Sequence, residues 1–238
     1  MPLAVWNGRT IFFAHVPKTG GSTVEDYLIQ RFGPLSILDR NKRENTPGTG
    51  LMMPATHLAS IDLAELLPET LDYSFTMVRD PVGRLQSEYR YQMGVSRTTR
   101  FSFATWLRVM LACLRMEPRI YQNHIRPQSD LVPEGAEVFH LERGGMEAMI
   151  QRLDEVTGET APDLAIRHLL KRKHEPITLY RQDAELIENH LAADYERFGF
   201  ERRDRAELPV DRYALPREAF ARMIAPAIVW RQRLRWIR

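Results

Sequence analysis

Hydrophobic and polar positions follow two alternating patterns along much of the chain. Short apolar runs, typical of buried strands, occupy Arg9–Val16, Tyr73–Val78 and Glu137–Leu141. Apolar residues recur at helical spacing over Thr23–Phe32 and Gly145–Val156. Strands that alternate with helices favour an α/β fold, because a crossover helix lets successive strands lie parallel. The pattern therefore predicts three layers, with a central, mainly parallel sheet flanked by helices.

The later part of the chain is predicted to be helical. Phe101–Leu114 is one candidate, and Asp183–Phe198 reads as a long amphipathic helix that ends at Gly199. We expect the tail to be interrupted by Pro209, Pro216 and Pro226. The last helix of the tail would then cover only 230–238. One face of this helix carries Trp230, Leu234 and Ile237, and we expect that face to pack onto the domain or onto a second subunit.

Composition sets the size and class of the protein. With 238 residues we expect a single domain over 1–238, in which 203–238 is an arginine-rich extension. The net charge of +2 disfavours nucleic acid as a partner. A lone Cys113 excludes an intramolecular disulfide and fits a reducing compartment. No apolar run approaches the roughly 18 residues of a membrane span and no secretion signal is recognised, so we expect a cytoplasmic protein.

The turn after the first predicted strand has the residues of an anion site. Gly20 and Gly21 allow a tight backbone turn, and the helix that follows presents its positive amino-terminal end. Ser22 and Thr23 add hydroxyl donors, and Lys18 adds an ammonium group. We call Lys18–Thr23 the phosphate loop. The lysine precedes the glycines, which is the wrong order for the phosphate loop of nucleoside triphosphatases.

A second turn follows the second predicted strand. Asp80 is a good N-cap and Pro81 a good first helical residue, so a helix is expected to begin there. Arg79 lies at the strand end and Ser87 two turns into that helix. Arginine suits a terminal phosphate, because its planar guanidinium group can donate two parallel hydrogen bonds.

The strings AHVPKTGGST and FTMVRDPVGRLQSEYRY resemble the two cofactor motifs of sulfotransferases that use 3′-phosphoadenosine 5′-phosphosulfate (PAPS). The likeness is to the branch of heparan sulfate 2-O-sulfotransferase, the HNK-1-type carbohydrate sulfotransferases and their bacterial relatives. It implies a P-loop-like fold and transfer of a sulfuryl group to a hydroxyl of an acceptor, with a carbohydrate as the leading choice. It also implies that Arg79 and Ser87 bind the 3′-phosphate, and that the 5′-phosphosulfate is bound by Lys18, Thr19, Gly20, Gly21, Ser22 and Thr23.

Weaker similarities extend over most of the chain. Gln122–Val132 is similar to a family segment with the pattern H-x-R-P-Q, and Val138–Thr157 to a strand and acidic helix. Arg167–Lys173 resembles a basic segment that closes over the cofactor, which makes Lys171 a further cofactor-binding candidate. Asp183–Phe200 resembles the family's carboxyl-terminal helix.

Two residues are candidates for the chemical step. Lys18 would stabilise the charge that builds on the leaving 5′-phosphate as the bond to sulfur breaks. The resemblance to the 2-O-sulfotransferases makes His57 the candidate base for the acceptor hydroxyl. His124, Glu25 and Glu88 are alternatives.

Other functions were weighed against the same residues. A nucleotide kinase would need a lysine after the glycines and a magnesium-binding aspartate, and a non-catalytic nucleotide- or glycan-binding relative would most easily lack Lys18. We expect no metal, since the seven histidines do not cluster with carboxylates. Acceptor specificity is assigned to the loops Asp39–Pro54 and Val95–Ser129. A homo-oligomer is left open.

Overall fold

A computed structural model describes residues 1–37, 57–63, 71–95, 101–161 and 176–236. The chain divides into two compact units. The first unit comprises Met1–Arg79 and Gln128–Lys173, and the second comprises Asp80–Pro127 and His174–Arg238. The single domain expected from the sequence stays a prediction.

In the described ranges the strands and helices alternate as the sequence pattern predicts. The strands are β1 (Leu3–Trp6), β2 (Arg9–Ala14), β3 (Tyr73–Val78) and β4 (Glu137–His140). The helices are α1 (Gly21–Phe32), α2 (Ser60–Leu63), α3 (Pro81–Val95), α4 (Phe103–Met116), α5 (Gly145–Thr157), α6 (Arg181–His190), α7 (Ala192–Phe198) and α8 (Ala214–Trp236).

The sheet of the first unit has the order β1-β2-β3-β4. β2, β3 and β4 are parallel, whereas β1 pairs with β2 in the antiparallel sense. The predicted α/β fold with a mainly parallel sheet is confirmed. β1 was not predicted, and it turns into β2 through Asn7 and Gly8, which both have positive φ angles of 47° and 78°. An Asn-Gly pair with this backbone is the favoured two-residue hairpin turn.

Both faces of the sheet are covered, because alternate residues of β2 point to opposite sides. On one side Ile11 and Phe13 join a buried cluster with α1 and α5, to which Val24, Leu28, Met149 and Leu153 belong. On the other side Phe12 and Ala14 pack with Leu58 and Leu63. The strand is therefore apolar on both faces, as its continuous apolar run indicates.

The second unit is a helical cluster whose core lies between α4 and α8. Arg108 of α4 is buried and contacts Asp183 of α6 at 2.6 Å, so a charged group is paired inside the core. Arginines of the 203–238 extension form ion pairs within this unit, namely Arg203–Asp80, Arg205–Glu188, Arg217–Asp211, Arg222–Glu218 and Arg233–Glu117.

Two predictions for the helical part were wrong. The predicted helix at 183–198 is two helices, α6 and α7, which meet at Leu191. The tail forms one helix, α8, which contains Pro226. Packing of the predicted face onto the domain is not observed, because Trp230 and Leu234 are 66% and 39% exposed, and packing of this face onto a second subunit stays a prediction. Ile237 lies outside the described residues. The residues of α8 that are buried in the core of this unit are Ala221, Ala225 and Val229.

The predicted acceptor loops have different outcomes. Residues 39–54 lie outside the described residues. The second stretch, Val95–Ser129, contains the helix predicted near 101–114, which is α4 and is mostly buried, and the role of this stretch in acceptor specificity stays a prediction. Ser102 caps α4 by accepting a hydrogen bond from the Thr105 N–H at 3.4 Å. None of the described helices is long and apolar enough to cross a membrane.

Candidate active site

The phosphate loop connects β2 to α1 at the carboxyl edge of the sheet, where open α/β sheets bind ligands. Lys18 and Gly20 both have positive φ angles, of 70° and 89°. Glycine adopts this conformation freely, but for lysine it costs about 1–2 kcal/mol. Strain of this kind is often found where a backbone is shaped for a ligand.

The amino-terminal end of α1 presents unpaired amides. The Gly20 carbonyl accepts hydrogen bonds from the N–H groups of Thr23 and Val24 at 2.9 and 3.2 Å. The N–H groups of Gly21 and Ser22 precede these and have no partner within the helix. No acidic side chain occupies the first turn, and Ser22 is exposed. This end of the helix therefore suits an anion.

Thr19 contributes to the loop in a different way from the other candidates. Its side chain is buried, and its hydroxyl donates to the Val16 carbonyl at 2.9 Å. The hydroxyl therefore stabilises the turn itself, and a contact to a ligand would come from the Thr19 backbone.

Arg79 lies directly after β3 and contacts the phosphate loop. Its guanidinium group donates to the Lys18 carbonyl at 3.3 Å and to Glu142 Oε1 at 3.2 Å, and its side chain is 28% exposed. The structure thus brings together Lys18 and Arg79, which stand 61 residues apart in the sequence. Two cationic residues are therefore adjacent at the edge of the sheet.

Gln128 fixes the backbone of Arg79, a role that sequence reasoning missed. The buried Gln128 amide accepts from the Arg79 N–H at 3.0 Å and donates to the Arg79 carbonyl at 2.9 Å. This pair of hydrogen bonds replaces the strand pairing that β3 has lost at its end. The only sequence signal for Gln128 was its place in the H-x-R-P-Q segment.

The predicted start of α3 is confirmed. The Asp80 carboxylate accepts from the Gly83 N–H at 2.8 Å, and the Asp80 carbonyl accepts from the Arg84 N–H at 2.8 Å. Ser87 lies on α3 and is half-buried. Arg84, on the same helix, is fully buried and donates to the carbonyls of His124 and Arg126.

His57 lies beside the strand that leads into the phosphate loop. Its Nδ1 is 3.2 Å from the His15 carbonyl oxygen, and the two imidazole rings meet edge to face with centroids 4.7 Å apart. A carbonyl oxygen can only accept, so Nδ1 carries a proton. In the neutral ring the lone pair then lies on Nε2, which is the state that a general base requires.

The alternative bases are each paired with another side chain. Glu25 Oε1 is 2.6 Å from His15 Nδ1, and both residues are buried. In the second unit, Glu88 Oε2 is 2.8 Å from His124 Nδ1. His124 follows Tyr121, Gln122 and Asn123, three consecutive residues with positive φ angles. His15 was missed as a site residue, although a histidine that ends a buried strand needs a polar partner.

Lys171 lies outside the described residues, as do Arg167 and Arg172. Within the ranges described, no three His, Cys, Asp or Glu side chains come together in a way that could hold a metal ion.

The residues at this edge fit a sulfated or phosphorylated nucleotide. The first turn of α1 offers amides with no helical partner and no carboxylate, and Lys18 and Arg79 add two cationic residues, of which Arg79 also pairs with Glu142. A Cβ at Gly20 would lie 3.3 Å from the Leu141 side chain, so a larger residue would require Leu141 to shift by a few tenths of an ångström.

Comparison with known proteins agrees with this chemistry. The family model described as "Sulfotransferase family" matches residues 4–161, about two thirds of the chain. No curated protein and no solved structure matches the chain significantly. The match includes the phosphate loop, Arg79 and His57. The chain therefore belongs to the sulfotransferase family and is a sulfotransferase enzyme.

Proposed function

We propose that this sulfotransferase takes its sulfuryl group from PAPS and transfers it to a hydroxyl of a carbohydrate or glycoconjugate. The observation that carries the proposal is the contact between Arg79 and the backbone of Lys18 at the amino-terminal end of α1. It supports a site for a ligand with phosphate groups on both the 5′ and 3′ sides of a nucleoside. PAPS is the sulfate donor that family membership implies.

In the proposed step the acceptor oxygen forms a bond to sulfur while the bond between sulfur and the 5′-phosphate oxygen breaks. The acceptor proton passes to Nε2 of His57, and adenosine 3′,5′-bisphosphate (PAP) leaves. Lys18 and the amides of Gly21 and Ser22 would stabilise the charge that collects on the 5′-phosphate. The proposed displacement is in-line: the base acts on the acceptor oxygen on one side of sulfur, and the leaving group departs on the opposite side.

Binding of the 3′-phosphate is assigned to Arg79 and Ser87, on the resemblance of FTMVRDPVGRLQSEYRY to the family's second motif. A charge-assisted hydrogen bond of this kind contributes roughly 1.5–3 kcal/mol. Lys171 is proposed as a further contact, from the basic segment that resembles one closing over the cofactor. Thr19, Gly20 and Thr23 complete the proposed set through their backbone and hydroxyl groups.

The carbohydrate acceptor rests on the resemblance to the 2-O-sulfotransferase branch. The resemblance to the bacterial relatives favours a bacterial source, and this source and the cytoplasmic location stay predictions. The acceptor class is tested by measuring PAPS turnover with oligosaccharides in one arm and with simple phenols in the other. Turnover in the phenol arm alone would contradict the carbohydrate assignment while leaving the sulfuryl transfer intact.

Calorimetric titration with PAP, without added metal, tests the cofactor. We expect micromolar or tighter binding that Arg79→Ala weakens by about tenfold or more, the equivalent of roughly 1.4 kcal/mol. Arg152→Ala is the matched control, because Arg152 also pairs with carboxylates, but its partner Glu137 begins β4 and so lies at the opposite end of the strands from the phosphate loop. Absence of PAP binding, or equal affinity for magnesium-ATP, would overturn the proposal in favour of a kinase or a non-catalytic relative.

A further inference from the structure

His15 lies against the start of α1, in the first unit. It follows β2 directly and is 6% exposed. Its Nδ1 is 2.6 Å from Oε1 of Glu25, a residue of α1 that is also buried. A bond this short between buried groups is typical of a charge-assisted hydrogen bond, and it ties the end of β2 to α1.

The same imidazole ring fills the space over Gly21. A Cβ on Gly21 would lie 2.0 Å from Nε2 and 2.2 Å from Cδ2 of His15, so only glycine fits against the ring. Gly21 and Glu25 are four residues apart and share one face of the helix. His15 therefore contacts α1 twice, once at the first helical residue and once a turn later.

His15 also contacts the candidate base. Its carbonyl is 3.2 Å from Nδ1 of His57, and the His57 ring meets the His15 ring edge to face. Phe13 stacks on the His15 ring with centroids 5.5 Å apart. The His15 carbonyl is thus the hydrogen-bond acceptor for His57 Nδ1. Its position orients the His57 ring and places the proton on Nδ1.

We propose that His15 and Glu25 are a positioning pair for sulfuryl transfer. They hold the amino-terminal amides of α1 at the place of the 5′-phosphate, and the His15 carbonyl keeps His57 in the tautomer with the lone pair on Nε2. Both residues act through the phosphate loop and His57, so Glu25 is not the base. This inference rests on the proposed function.

The test compares two nucleotides that differ only in the 5′-phosphate. The ratio of the affinities for PAP and for adenosine 3′-monophosphate measures the 5′-phosphate site alone. We expect His15→Leu to lower this ratio by about tenfold, roughly 1.4 kcal/mol, because the leucine cannot bond to Glu25. His15→Asn places an N–H near the position of Nδ1 and is expected to restore most of the ratio.

Two further variants keep the test decisive. Glu25→Gln keeps the side-chain volume and removes the charge, so it reports on the pair even if His15→Leu does not fold. We expect it to lower the ratio by about threefold, roughly 0.7 kcal/mol. Tyr27→Phe is the matched control, because Tyr27 is buried on the same helix as Glu25. Among the described contacts, its hydroxyl makes one hydrogen bond, which it accepts from Arg31 at 2.9 Å. It is expected to leave the ratio unchanged.

The outcomes separate the inference from the function on which it rests. Wild-type protein that binds neither nucleotide would contradict the proposed function itself. Wild-type protein that binds PAP, with a ratio unchanged in both His15→Leu and Glu25→Gln, would contradict the positioning pair. A fall in melting temperature without a change in the ratio would also contradict it, since that is the result of a purely structural role.

The tautomer of His57 provides a readout that needs no ligand. Long-range ¹H–¹⁵N correlation spectra distinguish a protonated from an unprotonated imidazole nitrogen, and His57→Gln identifies the His57 signals among the seven histidines. We expect the neutral His57 ring to carry its proton on Nδ1. A proton on Nε2 would overturn the part of the proposal that concerns His57.

Discussion

At the scale of single residues, the two glycines of the phosphate loop are required for different reasons. Gly20 has a backbone that other residues adopt only with strain, whereas Gly21 has an ordinary helical backbone and is required by the His15 ring. The two positions therefore tolerate substitution differently, although they are neighbours in one motif.

Gly21→Ala is expected to destabilise the protein by about 2 kcal/mol, because the new methyl group overlaps the buried His15 ring. Gly94→Ala is the control, since Gly94 lies near the end of α3 and a methyl group there would have no atom within 4 Å. That substitution should stabilise by up to about 1 kcal/mol through helix propensity. Urea denaturation measures both changes. Equal effects at the two positions would show that His15 yields to the methyl group.

Most residues of the proposed site were named from the sequence, because the family's motifs place lysine, glycine and arginine at strand ends, and the roles of these residues stay predictions. Arg79, Lys18 and His57 all lie in the first unit. Gln128 and His15 were not singled out. Their roles depend on backbone groups and ring contacts that come from distant parts of the chain, and no local pattern encodes such contacts.

At the scale of elements, the local sequence pattern predicted the type of most strands and helices. It failed where tertiary packing overrides the local preference. β3 was predicted with its observed bounds, because its run of apolar residues is flanked by polar ones. α8 was predicted too short, since a proline inside a helix costs about 3 kcal/mol in isolation. Burial of Ala221, Ala225 and Val229 on both sides of Pro226 offsets that cost.

Arg31 links α1 to the end of α5 and should matter more than a surface arginine. Its buried guanidinium group donates to the Tyr27 hydroxyl, to Asp154 at 2.6 Å and to Thr157 at 2.8 Å. Arg31→Met is expected to cost about 3 kcal/mol, because it leaves the partly buried Asp154 carboxylate without its ion partner.

Arg222→Met is the control for this change, since Arg222 pairs with Glu218 at an exposed position of α8. Its cost should lie within about 1 kcal/mol. Denaturant unfolding with a fitted m-value measures both substitutions. A cost for Arg31→Met no larger than that for Arg222→Met would contradict the view that α1 is held to α5 by this side chain.

Cys113 makes the second unit sensitive to alkaline pH. The thiol is buried between α4 and α8, and burial raises its pKa from 9.0 to about 12. In the unfolded chain it ionises near pH 9, so between pH 9 and about 12 the unfolded state has released a proton that the folded state keeps. The neutral thiol therefore makes its full contribution to the free energy of unfolding below pH 9. This contribution is lost as the pH rises above 9, by at most about 1.4 kcal/mol per pH unit.

Cys113→Ala removes this dependence. We expect the stability advantage of the wild-type protein over Cys113→Ala to be constant at neutral pH and to shrink by about 1 kcal/mol between pH 9 and 10. Guanidinium unfolding at a series of pH values measures the difference, and the tyrosines cancel because both proteins share them. A constant difference up to pH 11 would mean that the thiol ionises near its ordinary pKa in the folded protein.

At the scale of the whole molecule, charge is balanced while cations are gathered locally. The net charge is only +2, and many arginines of the extension are paired with carboxylates of the second unit. Lys18 and Arg79 meet next to the amino-terminal end of α1, where Arg79 also pairs with Glu142. Attraction for a nucleotide anion should therefore come from this site and not from a general positive surface.

Binding of PAP is accordingly expected to stabilise the whole protein in proportion to site occupancy. At a PAP concentration about 100 times the dissociation constant the gain is about 2.7 kcal/mol, because the ligand binds the folded state alone. For a chain of this length that corresponds to a rise in melting temperature of roughly 5–10 °C. Calorimetric melting with and without PAP measures it, and Arg79→Ala should lose most of the rise. The proposed cofactor requires the rise to persist in EDTA, and a shift that only magnesium-ATP produces would instead indicate a nucleoside triphosphate site.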